Sequence, residues 1–288
     1  MKFVIWGHKL HQSTHSYIHS SYYRAFRHLG YEVYWIDKTD NIDLDLDDTV
    51  FFLEDSAKEG VPLHKNSKYI THHIDTKYFT SAGVPYENIL KLGNYLPHLE
   101  KFEKVNDLAH WDESQRCLYQ CWGTNLLPDE IDINSHIKFN SNTKTLNYVG
   151  MFYEQGPWWA QNFADIVYNN HRVEFKVFTQ NASDEENKQL IQESFLCPDF
   201  RSDWHLQVGY IPCRIFKNIS YGRVTGTNSP FVKSAFGDFV VFGGTPETLY
   251  QNLLNAELNN SVDMREAMKM VKEKHTFVNR INNILKVL

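Results

Sequence analysis

Short apolar runs alternate along the chain with stretches of helical period, and the alternation starts almost at once. Residues 2–6 (KFVIW) are continuously apolar and end at Gly7, the pattern of a strand buried on both faces. From Thr14 to Leu29 the apolar positions Ile18, Tyr22, Ala25, Phe26 and Leu29 fall on one helical face. Ser13 or Thr14 can cap its start and Gly30 can close its end. YEVYWID follows as a second strand ending in Asp37, completing a strand-helix-strand unit whose natural form is a right-handed parallel crossover. VFFLE (50–54), KYITHHID (68–75), NILKLG (88–93) and CLYQCWG (117–123) extend the series, so the first half predicts a parallel open sheet.

The pattern is interrupted by a polar, Asn-rich stretch over residues 125–145 that has no clean period and reads as an interdomain linker. A second alternation then begins. LNYVG (146–150) reads as a strand, WWAQNFADIVYNN as an apolar-periodic helix, VEFKVFT (173–179) as a strand and NASDEENKQLIQESF as a charged helix. LQVGYIP as a strand, the helix CRIFKNISYG, and the strands RVTGT and DFVVFG complete the set. The expected fold class is α/β, with two Rossmann-like domains facing across a cleft. Residues 1–124 form the first, 146–263 the second, and 264–288 a terminal helix that returns to the first.

Composition narrows the function classes. The 288 residues suit two domains, with 42% apolar and 15% aromatic residues to fill their cores. A net charge of -6 argues against a generic nucleic-acid coat, while leaving room for a local basic cleft. Cys117, Cys121, Cys197 and Cys213 form no C-x-x-C pair and read as reduced and buried. No run approaches a membrane span, and the N-terminus enters a strand directly, so a soluble cytoplasmic protein is expected.

Ligands of doubly wound sheets bind at strand carboxyl ends, so the residues falling there are the candidates. In the second half, Arg214 follows Pro212 into the first turn of a helix, where free N–H groups and the dipole already favour an anion. Thr227, Asn228 and Ser229 follow the next strand, and Gly150 ends the first strand of this half. An arginine at a helix start is most often a surface residue. Three strand-end features in one domain argue instead for a diphosphate site without a P-loop, with Arg214 gripping phosphate bidentately.

In the first half, His8, His11 and His15 lie between the first strand and its helix, and His11, His15 and His19 are spaced by four. No carboxylate adjoins them in sequence, which favours a simple structural role, or orientation of hydroxyls or phosphate, over metal binding. Asp75 stands at a strand end beside His72 and His73, and strict alternation would put His73 on its face. Capping of whatever follows is an equal reading of Asp75. The DLDLDD run (43–48) reads as a solvated acidic loop.

VGMFYEQ (149–155), VFTQN (177–181), VGYIPCRIFKNISYGRVTGTN (208–228) and GGTPETLYQNLLNA (243–256) occur in an order that resembles the C-terminal half of GT-B glycosyltransferases. Phage and giant-virus sugar transferases, including phage DNA glucosyltransferases, are similar in length and motif. Two positions depart from that pattern, with Lys217 and Thr225 standing where many relatives carry acidic residues. The resemblance implies sugar transfer from a nucleotide diphosphate sugar, UDP favoured, to a hydroxyl acceptor, a glycan ahead of a nucleic acid. It implies that Arg214, Thr227 and Asn228 bind the diphosphate and that the backbone near Phe178, Tyr210 and Ile211 holds the base. Glu247 is mainly a helix-dipole partner, with ribose contact as the lesser reading. Asp75 would be the base of an inverting transfer, with His15 and His8 as the next candidates. No metal and no cofactor is expected to be required. A sugar-nucleotide epimerase or phosphorylase, or a non-catalytic sugar-nucleotide-binding protein, are the alternatives.

Overall fold

The computed structural model describes residues 1–9, 14–96, 108–152, 154, 156–179 and 183–288. His11 and the candidate cap Ser13 lie outside the described residues, as do Tyr153, Gln155, Gln180 and Asn181 of the quoted motifs. The chain divides into two compact units. Unit 1 contains Met1–Asn94, Ala109–Cys121 and Phe277–Leu288, and unit 2 contains Tyr95–Leu108 and Trp122–Thr276.

Unit 1 is built on seven strands: β1 (Lys2–Trp6), β2 (Glu32–Ile36), β3 (Thr49–Glu54), β4 (Lys68–His72), β5 (Ile89–Gly93), β6 (Ala109–Asp112) and β7 (Cys117–Gln120). Their order is β2-β1-β3-β4-β5-β7-β6. All neighbours are parallel except β6 and β7, so the expected all-parallel sheet is corrected at this edge. A short turn brings β6 back along β7, and only an antiparallel pair can be joined so briefly. The chain reverses direction across the sheet between β1 and β3, which makes that pair the topological switch point.

Period-two alternation divides the core between the two faces of the sheet. Val4, Trp6, Phe51, Leu53, Tyr69, Phe79 and Ile89 make one cluster. On the other face Phe3 stacks on Phe26 of α1 (Thr14–His28), with ring centroids 4.2 Å apart. Burying each such side chain stabilises the fold by about 1.5–3 kcal/mol. The C-terminal helix (Phe277–Val287) packs on α1 through Phe277 and Tyr22, 4.8 Å between centroids. Its Arg280 is fully buried and donates to Cys121 Sγ at 3.2 Å. A four-residue helix, α2 (Lys77–Thr80), follows β4. The acidic side chains of DLDLDD are exposed, while Leu46 within it is buried in the core.

In unit 2, β8 (Thr145–Val149) and β9 (Glu174–Phe178) pair in parallel, as do β10 (Cys197–Asp199), β11 (Thr225–Thr227) and β12 (Val241–Phe242) in turn. The helices are α3 (Gly156–His171), α4 (Asp184–Gln192), α5 (Asp203–Gln207), α6 (Cys213–Ser220), α7 (Pro230–Phe236), α8 (Pro246–Asn259) and α9 (Met264–Lys274). LQVGYIP is not a strand: it holds the end of α5, and Tyr210 makes a single bridge to Tyr95. The strand is the unexpected Cys197–Asp199, whose proline and aspartate disguise it. The polar stretch 125–145 lies in unit 2, where Ile131 is buried and the Ile137 N–H donates to the Gly222 carbonyl at 2.8 Å. All four cysteines are free and buried. Among the described residues no helix is long and apolar enough to cross a membrane.

One buried ion pair ties the segment between α4 and β10 to α8. Arg223 donates to the carbonyls of Gln192 (2.8 Å), Ser194 (2.5 Å) and Phe195 (3.2 Å) and to Glu257 Oε1 (3.2 Å). Burial pushes the Glu257 carboxyl above its ordinary value, and Arg223 works against that. Removing one partner of such a pair costs about 3–5 kcal/mol. Arg223→Met is therefore expected to lower the unfolding free energy by that much in urea titration, and adding Glu257→Leu to recover part of the loss. No recovery in the double variant would mean that the three carbonyls, and not the carboxylate, dominate.

Candidate functional site

Each unit gathers polar side chains at the carboxyl ends of its strands. In unit 2 the centre is Asp199, at the end of β10 and fully buried. Its Oδ1 accepts from both Arg214 Nη1 and Arg201 Nη2, each at 2.7 Å. Two guanidinium groups thus share one carboxylate oxygen, and Oδ2 of Asp199 makes no hydrogen bond. Arg214 also donates from Nε (3.2 Å) and Nη2 (2.8 Å) to the Val149 carbonyl, and its guanidinium lies 3.9 Å from the Tyr148 ring centroid. That contact adds a cation–π attraction to the hydrogen bonds.

Gly150 is required by this arrangement. It has φ +132, its N–H continues the β8–β9 pairing to the Phe178 carbonyl at 2.9 Å, and an added Cβ would fall on Arg214 Nη2. The strand-end glycine and the helix-start arginine, far apart in sequence, are therefore one feature. Lys217 lies one turn beyond Arg214 on α6, every residue of which is buried. Burial, with the neighbouring Arg214 adding to it, pushes the Lys217 ammonium down to about 8.

Thr227, Asn228 and Ser229 serve this centre indirectly. Asn228 accepts from the Arg201 N–H at 2.8 Å and donates to the Arg201 carbonyl at 2.9 Å, clamping the backbone that carries the second arginine. Thr227 Oγ1 accepts from the Ser229 N–H, and Ser229 caps α7 at the Val232 N–H. Tyr210 stacks on His205, centroids 4.9 Å apart, and Arg201 lies 5.9 Å from its ring. Burial first, and then Arg201, lower His205 to about 4. Ile211 is wholly buried, backbone included. Phe178 ends β9 half-buried, and Glu247 is exposed in the first turn of α8.

In unit 1 the cluster sits at the ends of β1, β3 and β4. His8 Nε2 lies 3.0 Å from Glu54 Oε2, and that oxygen also accepts from Ser56 N (3.0 Å) and Ser56 Oγ (2.6 Å). Burial alone would raise the Glu54 carboxyl. The bonds from His8 and Ser56 and the charge of His15 outweigh it and hold the group well below the usual carboxylate range. His15, in the first turn of α1, stacks on His8 with centroids 5.2 Å apart and lies 6.0 Å from His72. His19 turns inward instead, with Nδ1 3.1 Å from the Gly7 carbonyl. The sequence placed no carboxylate near the histidines; β3 delivers Glu54 from 46 residues away.

Asp75 is exposed, and its Oδ1 accepts from the Lys77 N–H at 2.9 Å at the start of α2. The expected shared face of His73 and Asp75 is corrected: β4 stops at His72, and His73 takes φ +63, which breaks the alternation. Arg201, Asp199 and Glu54 were not among the expected site residues. Each is a charged residue ending or just following an otherwise buried strand, and that position is the signal that marks them.

No family model matches the sequence, and no curated protein is similar to it. Solved structures are similar over the whole chain. An alpha-glucosyltransferase in complex with UDP and a 13-mer DNA containing a HMU base is 7% identical, covering 100% of this chain and 99% of its own, with TM-score 0.62. An alpha-glucosyltransferase with UDP and a 13-mer DNA containing a central A:G mismatch is 6% identical over 99% of this chain and 98% of its own, with TM-score 0.63. A complex with UDP alone is 7% identical over 99% and 98%, with TM-score 0.58. Covered from end to end at so little identity, the chain shares the fold of these alpha-glucosyltransferases, the GT-B fold.

Proposed function

We propose that this chain is a glycosyltransferase that moves a sugar from a nucleoside diphosphate sugar to a hydroxyl acceptor. The observation that carries the reading is the pair of buried guanidinium groups on one oxygen of Asp199 in unit 2. With Lys217 one turn away, the strand ends hold fixed positive charge before any ligand arrives. A departing diphosphate develops negative charge, and preorganised cations and dipoles stabilise it without reorganisation. UDP is the first candidate for the nucleotide, because the similar alpha-glucosyltransferases were solved with it. The same cations make a divalent ion redundant at the diphosphate, so donor binding should be insensitive to chelator.

The acceptor side is assigned to unit 1, with Asp75, His15 and His8 as candidates for the base. A glycan or other hydroxyl-bearing small acceptor remains the favoured class. A duplex carrying a hydroxymethylated base is the second arm of any acceptor assay, since a similar structure holds DNA with such a base. Release of UDP from a UDP-sugar, slow alone and faster with acceptor, is expected of a transferase. Binding without any turnover would favour a non-catalytic sugar-nucleotide-binding protein.

Calorimetry tests the donor site. Arg214→Ala should weaken UDP by about 1.5–3 kcal/mol, the worth of a hydrogen bond to a charged group, and leave uridine unchanged. Lys217 adds a pH signature. Its ammonium in the free protein is lowered to about 8, and a bound diphosphate favours the charged form. Binding therefore takes up a proton above that pH, and UDP affinity should fall by up to about tenfold per unit as pH rises through 8 and beyond. Lys217→Met should flatten this dependence. A parent protein whose UDP affinity ignores both Arg214 and pH would place the donor elsewhere.

Asp75→Asn keeps the shape of the side chain and removes its basicity. If Asp75 is the base, turnover falls by about 10²–10⁴-fold while UDP affinity holds. Near-normal turnover would pass the role to His15 or His8, or indicate a retaining reaction that needs no separate base of this kind.

A further inference from the structure

The histidine cluster of unit 1 has the composition and spacing of a metal centre. One ligand atom from each of His8, His15 and Glu54 lies within 4.8 Å of the other two. Ligand atoms about 2.0–2.2 Å from a common Zn²⁺ stand about 3–4 Å apart, so small side-chain rotations close the set. The His8 Nε2–Glu54 Oε2 edge, at 3.0 Å, already has that length. We infer that His8, His15 and Glu54 bind one divalent transition-metal ion of the Zn²⁺ class, leaving an open position for a water or hydroxyl oxygen.

Three further observations converge on the same place. First, His8 follows β1 and Glu54 ends β3, and these strands flank the topological switch point of the sheet. Ligands of doubly wound sheets collect outside the strand ends there. Second, His8 holds φ +61, a conformation that is uncommon outside glycine and that clusters at functional sites. Third, Ser56 fixes Glu54 by donating from both N–H and Oγ to Oε2, and the Ser16 hydroxyl holds the His8 backbone through its carbonyl at 2.8 Å. Outer hydrogen bonds such as those from Ser56 fix the direction of a metal-binding carboxylate.

The donor set suits the metal class. Two imidazoles and one carboxylate match Zn²⁺ and its neighbours in the first transition row better than Mg²⁺ or Ca²⁺, which prefer oxygen alone. Three protein ligands leave at least one position unfilled, as in sites that polarise a bound oxygen. Of the His11, His15 and His19 series noted in the sequence, His15 joins this set, His19 is turned to the Gly7 carbonyl, and the carboxylate arrives from β3. The inference does not rest on the transferase reading, and with an ion bound His8 and His15 would be its ligands and no longer candidate bases.

The test uses the full chain stripped with chelator and then titrated with Zn²⁺ in a calorimeter and Co²⁺ in a spectrophotometer. One-to-one binding with submicromolar affinity, and visible Co²⁺ absorption of low-coordinate character, are expected. Glu54→Gln and His15→Ala should each weaken Zn²⁺ by at least about tenfold, the scale on which even outer-shell changes are felt. His64→Ala, at an exposed histidine in another part of the unit, should leave it unchanged. Zn²⁺ should also raise the urea midpoint of the parent and not that of His15→Ala, whose side chain is only half-buried. Absence of one-to-one binding in the parent would overturn the inference, and so would binding that survives the Glu54→Gln/His15→Ala double variant. Failure of UDP to bind would leave these results intact, since they read the metal alone.

Discussion

The strand ends of unit 2 are organised by one shortage: two arginines compete for a single oxygen of Asp199. A carboxylate with no exposure, flanked by two guanidinium groups, cannot neutralise both, and the remaining charge must be satisfied by weaker partners. The Val149 carbonyl, the Tyr148 ring and the Tyr148 hydroxyl take that part. The surrounding backbone is shaped to keep them in place, with glycine at 150 and an asparagine clamp on Arg201. The centre thus gathers two guanidinium groups around one carboxylate.

Unit 1 shows the opposite balance. Its strand ends collect imidazoles around one carboxylate that is held ionised. His19 and His72 are each lowered to about 3, by burial first and by neighbouring histidines after it. The two units therefore offer chemically distinct strand ends. One suits an anion, and the other suits a proton, a cation or a hydroxyl group.

Much of this was legible in the sequence where elements are long and regular. The run KFVIW, the helical face of Ile18, Tyr22, Ala25 and Phe26, and the strands through Glu54 and His72 all appear where periodicity puts them. Gly150 and Arg214 could be named because each sits at an element boundary that composition reveals. Cys197–Asp199 could not, because a three-residue strand with a central proline carries no period and its neighbours α5 and Tyr210 imitate one. Losing that strand also hid Asp199 and Arg201. Glu54 was visible as a strand end but not as a partner of His8, since only the β1–β3 pairing brings them together. The argument for His73 beside Asp75 failed on a single left-handed residue, which no alternation rule anticipates.

The C-terminal helix has a consequence for how unit 1 can be made. Phe277–Leu288 belongs to it, placing Phe277 on Tyr22 and Arg280 on Cys121, yet all of Trp122–Thr276 intervenes. No single contiguous stretch of the chain contains unit 1 without also containing unit 2. During synthesis, unit 2 is complete once Thr276 has emerged, whereas the α1 side of unit 1 stays uncovered until the following helix arrives. Domains fold as units when their residues become available. The nascent chain must therefore carry a sheet with one open apolar flank while the segment that closes it is still being translated.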